Sequence, residues 1–327
     1  MFDLSVLHPE RYHGQQNKPP FFEGWYYKLV DASGQHRYAV IPGIFLSHDP
    51  DQHHAFIQVL NGVTGTATYH RYPAESFSAA RDAFDIRVGS SRFTAQSLSL
   101  DVQSKDETIQ GQVHLEGLTP WPVTLASPGI MGWYSWVPFM ECYHGVLSLD
   151  HGLSGRFAVN GHEIDWTGGR GYVEKDWGMS FPSAWVWMQS NHFAQPGTSL
   201  TASVAIIPWL FRSFQGMIVG LWHSGQLYRF ATYTGAQTRH LTITDDRVQW
   251  VIQDRKYRLE IEAARVQGAP LRGPSKADMG VRVPETLEAT IDVRLVELRA
   301  NTGAPIFEGQ GQYAGLEVVG DTERLMS

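Results

Sequence analysis

The residue types best suited to chemistry lie in one short charged segment, Glu174-Lys175-Asp176-Trp177. In an extended strand successive side chains point to opposite faces, so Glu174 and Asp176 share a face and Lys175 points the other way. Burial raises the pKa of a carboxyl group, and a like charge nearby raises it further. Such a carboxyl keeps its proton near neutral pH and can act as a general acid. The alternative interpretation is a solvated turn that carries three charges.

The segment that follows combines large aromatic side chains with amides. If residues 184–193 form a strand, alternation places five side chains on one face: Trp185, Trp187, Gln189, Asn191 and Phe193. A mostly apolar surface with a few orienting polar groups is typical of a ligand pocket. The alternative is ordinary core packing by the tryptophans, with the amides satisfying backbone groups.

Two further sets of residues are candidates. Glu23 shares a predicted strand face with Trp25 and Tyr27, so it is a third carboxyl in aromatic surroundings or else a residue at the pocket rim. Cys142 and His144 are two residues apart, as in a thiol nucleophile with its base, but on one strand face such a pair more often packs than reacts.

The composition limits the classes of partner. The chain has 327 residues, and its 26 Lys and Arg against 33 Asp and Glu give a net charge of −7. No nucleic-acid partner is expected of an acidic chain. The single cysteine, Cys142, excludes an internal disulfide and a multi-cysteine metal site. Because His162-Glu163 lacks the second histidine of a zinc-protease motif, we predict no metal, and no cofactor is expected.

The elements that must position these residues are predicted to be strands. Runs rich in β-branched and aromatic residues recur between turn signals, as in Phe22–Val30, Arg37–Leu46 and Arg247–Ile252. Hardly any window keeps a helical hydrophobic period, and 32 glycines punctuate the runs. The chain is therefore predicted to be all-β, as an antiparallel barrel or sandwich.

A weak similarity between two segments of the sequence predicts two similar β units. FEGWYYK at 22–28 and SAWVWMQ at 183–189 each place a tryptophan near the start of a run of strands. The three glycines of Asp165–Gly171 form a turn-rich boundary between them. The predicted domains are residues 1–168 and 169–327.

Two stretches without charged residues, Gly117–Met140 and Gly178–Phe211, bear on membrane contact. Their prolines and amides argue against transmembrane helices. The first residues lack a basic segment leading into an apolar run, so no signal peptide is predicted and the expected location is the cytoplasm. Trp133 and Trp136 are interpreted either as an aromatic wall that touches a bilayer, giving a peripheral membrane contact, or as core packing.

Several motifs together resemble the tocopherol cyclase family. They are FFEGWYYK at Phe21–Lys28, SPGIMGWYSWVPF at Ser127–Phe139, YVEKDWGMSFPSAWVWMQSNHF at Tyr172–Phe193 and APLRGP at Ala269–Pro274. The order and approximate positions are those of the family, and the resemblance extends from about Phe21 to about Val318. The E-K-x-W-G, F-P and W-x-W-x-Q-x-N pieces are its most specific part.

The resemblance implies two lipocalin-like antiparallel β-barrel domains in tandem and a lipophilic partner, a prenylated quinol or another isoprenoid. In the implied reaction an acid protonates a prenyl double bond and a phenol oxygen attacks the tertiary cation, closing a chromanol ring. Asp176 or Glu174 would donate the proton, although plant members commonly carry asparagine at the position of Asp176. The implied alternatives are a hydratase that acts on a polyene and a carrier without proton transfer.

Roles for the other candidates follow from the same chemistry. Indole faces stabilise a cation, so Trp185, Trp187 and Trp25 are assigned to the carbocation, and Gln189 and Asn191 to quinol orientation. The full set of expected substrate-binding residues is Glu23, Trp25, Tyr27, Trp133, Trp177, Trp185, Trp187, Gln189 and Asn191.

Overall fold

The computed structural model describes residues 4–15, 18–105, 107–299 and 304–327, most of which form strands. The strands of the first half are β1 (Phe21–Val30), β2 (Arg37–Leu46), β3 (His54–Asn61), β4 (Thr66–Tyr72), β5 (Phe77–Ala79), β6 (Asp85–Val88), β7 (Ser91–Thr94), β8 (Ser97–Gln103), β9 (Thr108–Glu116), β10 (Cys142–Val159), β11 (His162–Asp165) and β12 (Arg170–Gly178). Those of the second half are β13 (Ala184–Ser190), β14 (Ser199–Trp209), β15 (Arg212–His223), β16 (Gln226–Ala231), β17 (Gln237–Ile243), β18 (Arg247–Gln253), β19 (Tyr257–Ala264), β20 (Ala269–Gly273), β21 (Val281–Glu297) and β22 (Phe307–Gly320).

Over the part of the chain that the structure describes, helical structure consists of short turns. The 3₁₀ turns are Leu4–Leu7, Pro50–Gln52, Ala74–Ser76, Gly132–Trp136 and Thr232–Thr234, and the α-helix is α1 (Glu323–Met326). Among the described residues, no helix is long and apolar enough to cross a membrane. The uncharged stretch at 117–140 is mostly irregular, and the one at 178–211 contains β13 and β14.

One compact unit comprises Met1–Phe181 and Pro270–Arg282. Its antiparallel sheet has the order β4-β3-β2-β1-β12-β10-β9-β8-β7-β6-β5, and β11 pairs with β10. Alternate residues of β1 are buried in one core, beginning with Trp25 and Tyr27, and Val173 of β12 joins them there. Strands from both ends of the sheet supply the same core, including Ile57 of β3 and Ile86 of β6. The sheet therefore wraps around its own apolar face.

A second compact unit comprises Pro182–Ala269 and Val283–Ser327. Its sheet has the order β16-β15-β14-β13-β22-β21-β19-β18-β17. Val186 and Met188 of β13 lie in its core, with side chains such as Trp250 and Phe230. Alternation along β13 therefore turns Trp185 and Trp187 away from that core.

The two sheets share a topology in which the first strand lies between the second and the last. β1 lies between β2 and β12, and β13 lies between β14 and β22. The prediction of an all-β chain with two antiparallel, lipocalin-like units is confirmed. Over the described residues, strand pairing does not join β4 to β5 or β16 to β17, so the ladders stay open at those edges.

The predicted boundary at 168/169 falls between β11 and β12, which belong to one sheet, whereas the compact units divide at 181/182. Gly168 and Gly169 lie in the turn between β11 and β12, and Gly171 is already part of β12, so the three glycines connect two strands of one sheet. The existence of separately folding domains stays a prediction.

Gly178, at the end of β12, lies where the backbone comes very close to the backbone of Glu141. Its φ is 148°, and a Cβ there would lie 2.4 Å from the backbone oxygen of Glu141. We expect Gly178→Ala to lower the free energy of unfolding by about 3 kcal/mol, because strain and overpacking add. The control is Gly65→Ala, where φ is 63° but no atom lies within 4 Å, so about 1 kcal/mol is expected. Urea unfolding measures both, and equal losses would contradict the steric explanation.

Candidate active site

Strand pairing assembles an acidic cluster with a histidine at its centre. In the β10–β12 ladder His144 lies directly opposite Asp176, and Val146 lies opposite Glu174. Diagonal neighbours on one sheet face remain within reach of long side chains, so His144 also meets Glu174. Its Nδ1 is 2.8 Å from Asp176 Oδ1, and its Nε2 is 3.4 Å from Glu174 Oε2. One imidazole ring thus connects the two predicted acids.

The two carboxyl groups of this cluster have different surroundings. The Asp176 side chain is 28% exposed and the Glu174 side chain 6%. The hydroxyl of the buried Tyr172 donates to Glu174 Oε2 at 2.5 Å. Cys142 Sγ lies 3.9 Å from Asp176, and burial, followed by the charge of Asp176, raises the pKa of this thiol well above its usual value. Burial thus disfavours the thiolate that a nucleophilic role for Cys142 would need.

The same three side chains have donor atoms that suit a metal ion. One ligand atom from each of His144, Glu174 and Asp176 can be chosen so that all lie within 4.8 Å of one another. Mixed imidazole and carboxylate sets of this kind occur in zinc sites. The absence of a metal cofactor therefore stays a prediction.

A second charged cluster lies on the opposite face of β12. Lys175 is opposite Trp25 in the β1–β12 ladder, with Glu23 as its diagonal neighbour. Its Nζ is 2.5 Å from Glu23 Oε1 and 2.9 Å from His13 Nδ1, and it donates to the backbone oxygen of Arg11. The side chains of Lys175 and Glu23 are fully buried. This is an ion pair inside the first unit.

Charge pairing decides the protonation of this buried cluster. Burial alone would raise the pKa of Glu23, but Lys175 and His13 beside it hold that pKa below its ordinary value. Burial lowers the pKa of His13, and the charge of Lys175 lowers it further. Burial also lowers the pKa of Lys175, against the attraction of Glu23. Glu23 is therefore an ionised partner of Lys175 and not a carboxyl that keeps its proton.

Aromatic rings surround this ion pair. Lys175 Nζ lies 4.8 Å from the ring centroid of Trp25 and 4.7 Å from that of Trp177. His13 stacks on Trp177 at 4.3 Å with an interplanar angle of 6°. The backbone N–H of His13 donates to Glu23 Oε2 at 2.9 Å, so the ion pair also holds the N-terminal segment. Trp25 and Trp177 present their indole faces to a protein ammonium group.

Comparison with known proteins identifies the family. A model of the family described as tocopherol cyclase-like matches residues 86–320. The chain belongs to this family. A protein of Zea mays named "Tocopherol cyclase, chloroplastic" is 28% identical over 205 residues, which cover 58% of this chain and 41% of that protein. The match thus spans less than half the length of this relative.

Solved structures show the same fold. A putative AttH from Nitrosomonas europaea is similar with a TM-score of 0.53 and 15% identity, covering 91% of this chain and 92% of that one. Kievitone hydratase from Nectria haematococca has a TM-score of 0.53 and 13% identity, covering 95% and 93%. At these identities the likeness concerns the fold alone.

The structure of this tocopherol cyclase-like chain separates the predicted site residues into three groups. Glu174 and Asp176 share one face of β12, as predicted. Trp177 lies on the opposite face with Lys175, and Glu23 and Trp25 face the same core. Tyr27 also lies in that core, where burial raises its pKa well above the usual value. These residues are therefore not brought together with the two carboxyls.

The third group lies in the second unit, on β13 and at the residue that follows its end. Trp185, Trp187, Gln189 and Asn191 are all buried. Trp185 Nε1 donates to Glu317 Oε2 at 2.6 Å. Glu317 lies opposite Trp187 on one side and opposite the buried Glu285 on the other. The second unit thus has its own pair of carboxyls beside the predicted aromatic residues.

The structure places Phe193 on the core side of the second unit and Trp133 at the surface. Phe193 was predicted to share the face of Trp185, but it packs in the core with Val186 and Phe307. The reason is that β13 ends at Ser190, and alternation does not continue past the strand end. Trp133 is 44% exposed in a 3₁₀ turn, and its ring centroid lies 4.1 Å from that of Tyr134 at an interplanar angle of 32°, so it is not ordinary core.

Sequence reasoning paired His144 with Cys142 and missed its contacts with the two acids, and it did not identify Tyr172 or His13. Alternation along the strand places Tyr172 on the same face as Glu174, so this contact could have been predicted from the sequence pattern alone. His144 is 32 residues from Asp176 in the chain. Its position required the pairing of β10 with β12, which no local pattern reveals. His13 was missed for the same reason, since it lies 162 residues from Lys175.

The buried ion pair makes a specific stability prediction. We expect Lys175→Met to lower the free energy of unfolding by about 3–5 kcal/mol, because Glu23 is then left charged and unpaired in the core. The double variant Lys175→Met/Glu23→Leu should lose much less, since no buried charge remains. Denaturant unfolding of both variants measures this, and a double variant no more stable than the single one would count against the pair.

The buried His13 makes stability dependent on pH. Because its pKa is lowered below the ordinary 6.5 in the folded chain, the unfolded chain takes up the proton first. Its contribution to stability is therefore present above pH 6.5 and is lost as pH falls, by up to ~1.4 kcal/mol per pH unit. His13→Asn should flatten the curve of unfolding free energy between pH 6.5 and 5, whereas the exposed His162→Asn should not. Parallel curves for parent and His13→Asn would refute the assignment.

Proposed function

We propose that this chain catalyses acid-initiated addition of an oxygen nucleophile to an isoprenoid double bond, with closure of a chromanol ring from a prenylated hydroquinone as the reaction. The observation that carries the proposal is the chain of contacts from Tyr172 through Glu174 and His144 to Asp176. Membership of the tocopherol cyclase-like family supports the reaction class. A lipophilic isoprenoid is the substrate class that this chemistry requires.

Glu174 is the proposed proton donor. Its carboxyl group is nearly enclosed, and burial favours the neutral form of a carboxyl. The short hydrogen bond from Tyr172 fixes its orientation. Glu174 also occupies the matching position of the E-K-x-W-G piece, whereas Asp176 occupies the variable one.

His144 and Asp176 have the proposed role of resupplying the proton. Asp176 is the more exposed member and holds His144 Nδ1 at 2.8 Å. Nε2 of the same ring is 3.4 Å from Glu174 Oε2, so the imidazole is placed to pass a proton from the exposed side of the cluster to Glu174. Asparagine at position 176 could still accept a hydrogen bond from Nδ1–H, which agrees with its common presence in plant members.

The atoms balance without a co-reactant. The Glu174 proton is transferred to the less substituted alkene carbon, and the phenol oxygen bonds to the tertiary carbon that becomes cationic. The phenol proton then returns to the cluster, so the product is an isomer of the substrate. The roles assigned from the sequence to Trp185, Trp187, Gln189 and Asn191 stay predictions, because these residues belong to the second unit and the proposed acid belongs to the first.

Separate replacement of the two acids tests the assignment. We expect Glu174→Gln to lower kcat about 100-fold, the range of a lost general acid, while KM changes little. Asp176→Asn should lose about tenfold, because the hydrogen bond to His144 survives but its charge does not. Turnover of a prenylated benzoquinol, followed by mass spectrometry and ultraviolet absorbance, measures both.

The products of the same assay distinguish the alternatives. An isomeric chromanol of unchanged mass supports cyclisation, and a gain of one water indicates a hydratase instead. Recovery of bound, unchanged quinol identifies a carrier and overturns the proposal. Parent-like turnover by Glu174→Gln would remove Glu174 as the donor, and the exposed Glu163→Gln serves as a matched control.

A further inference from the structure

The hairpin between β14 and β15 ends in an apolar tip. Trp209 pairs with Arg212, so Leu210 and Phe211 form a two-residue loop. Leu210 is 73% exposed and Phe211 is 100% exposed. Both side chains project from the second unit without a core to cover them.

The backbone of this tip makes its sequence unusual. Leu210 has φ 51°, in the left-handed region that costs a branched side chain energy and that glycine or asparagine prefers. Two other hairpins of the same chain start their loops in this conformation and use Asn160-Gly161 and Ser224-Gly225. The tip at 210–211 therefore combines a strained backbone with exposed apolar side chains, where the other two loops use polar residues followed by glycine.

The flanking residues match the layers of a lipid surface. Trp209 is partly exposed and meets Phe214 edge-on at 6.1 Å. Tryptophan prefers the boundary between the acyl chains and the headgroups of a bilayer. Arg212 and Arg324 are exposed, and Arg324 Nη2 lies 3.3 Å from Ser213 Oγ, which places two cations beside the tip of an acidic chain.

We propose that Leu210 and Phe211 insert into the interfacial layer of a lipid bilayer, with Arg212 and Arg324 contacting anionic headgroups. Two apolar side chains bury enough apolar surface for reversible membrane binding, particularly when basic residues beside them contact anionic lipids. They present far less area than the ~800 Å² per partner of a stable protein interface. The geometry therefore favours a membrane over a second copy or another protein, and the inference does not depend on the proposed reaction.

The test is co-sedimentation of the full chain with vesicles. Leu210→Asn/Phe211→Gly copies the loop at 160–161, so the hairpin is expected to be retained and thermal unfolding should be unchanged or improved. With phosphatidylcholine–phosphatidylglycerol vesicles the parent should bind, and the variant should partition about tenfold less. Failure of the parent to bind, or equal binding by parent and variant, overturns the proposal.

Two further arms identify the interaction. Arg212→Gln should weaken binding to the anionic vesicles and leave binding to pure phosphatidylcholine unchanged, and an equal effect on both would refute the headgroup contact. Gel filtration of parent and loop variant without lipid reports on self-association. Loss of an oligomer in the variant, with vesicle binding intact, would assign the tip to a second copy and overturn the membrane proposal.

Discussion

The ion pair between Glu23 and Lys175 is the constraint on which the first unit depends. It joins β1 to β12 inside an apolar core, where neither charge tolerates the loss of the other. Alternation in a strand has a period of two, so a slip of one residue would turn Lys175 outward and bury Asp176. The pair therefore fixes the face of β12 on which Glu174 and Asp176 lie, and the separate pairing of β12 with β10 places His144 opposite Asp176. A structural interaction on one side of β12 positions the candidate chemistry on the other.

The two charged clusters lie on opposite faces of the same strand, β12. On the inner face, an ammonium group held between two indole rings keeps Glu23 ionised. On the outer face, the buried Glu174 lies beside a tyrosine hydroxyl and an imidazole. A general acid requires such a difference, because an adjacent ammonium would favour loss of its proton. The sequence E-K-x-W-G contains both functions in alternate positions.

Local pattern predicted the strands and their faces well. It assigned Glu174 and Asp176 to one face and Lys175 to the other, and it separated Trp185 from Val186. It failed where strands end, as at Phe193, and where a partner comes from a distant strand, as with His144. The similarity between the segments around Trp25 and Trp185 correctly predicted a repeated topology. However, Trp25 faces the core of its unit and Trp185 does not. Equivalent strand positions therefore do not imply equivalent faces, because each strand's register is set by its own partners.

The central claim is that a proton from the His144–Glu174–Asp176 cluster becomes bonded to carbon. Turnover of a prenylated benzoquinol in deuterium oxide, with the product returned to ordinary water before mass spectrometry, measures this directly. The account predicts a chromanol that retains one deuterium on the carbon next to the new ether carbon, since deuterium on oxygen washes out. A chromanol formed without carbon-bound deuterium would contradict protonation of the alkene as the first step.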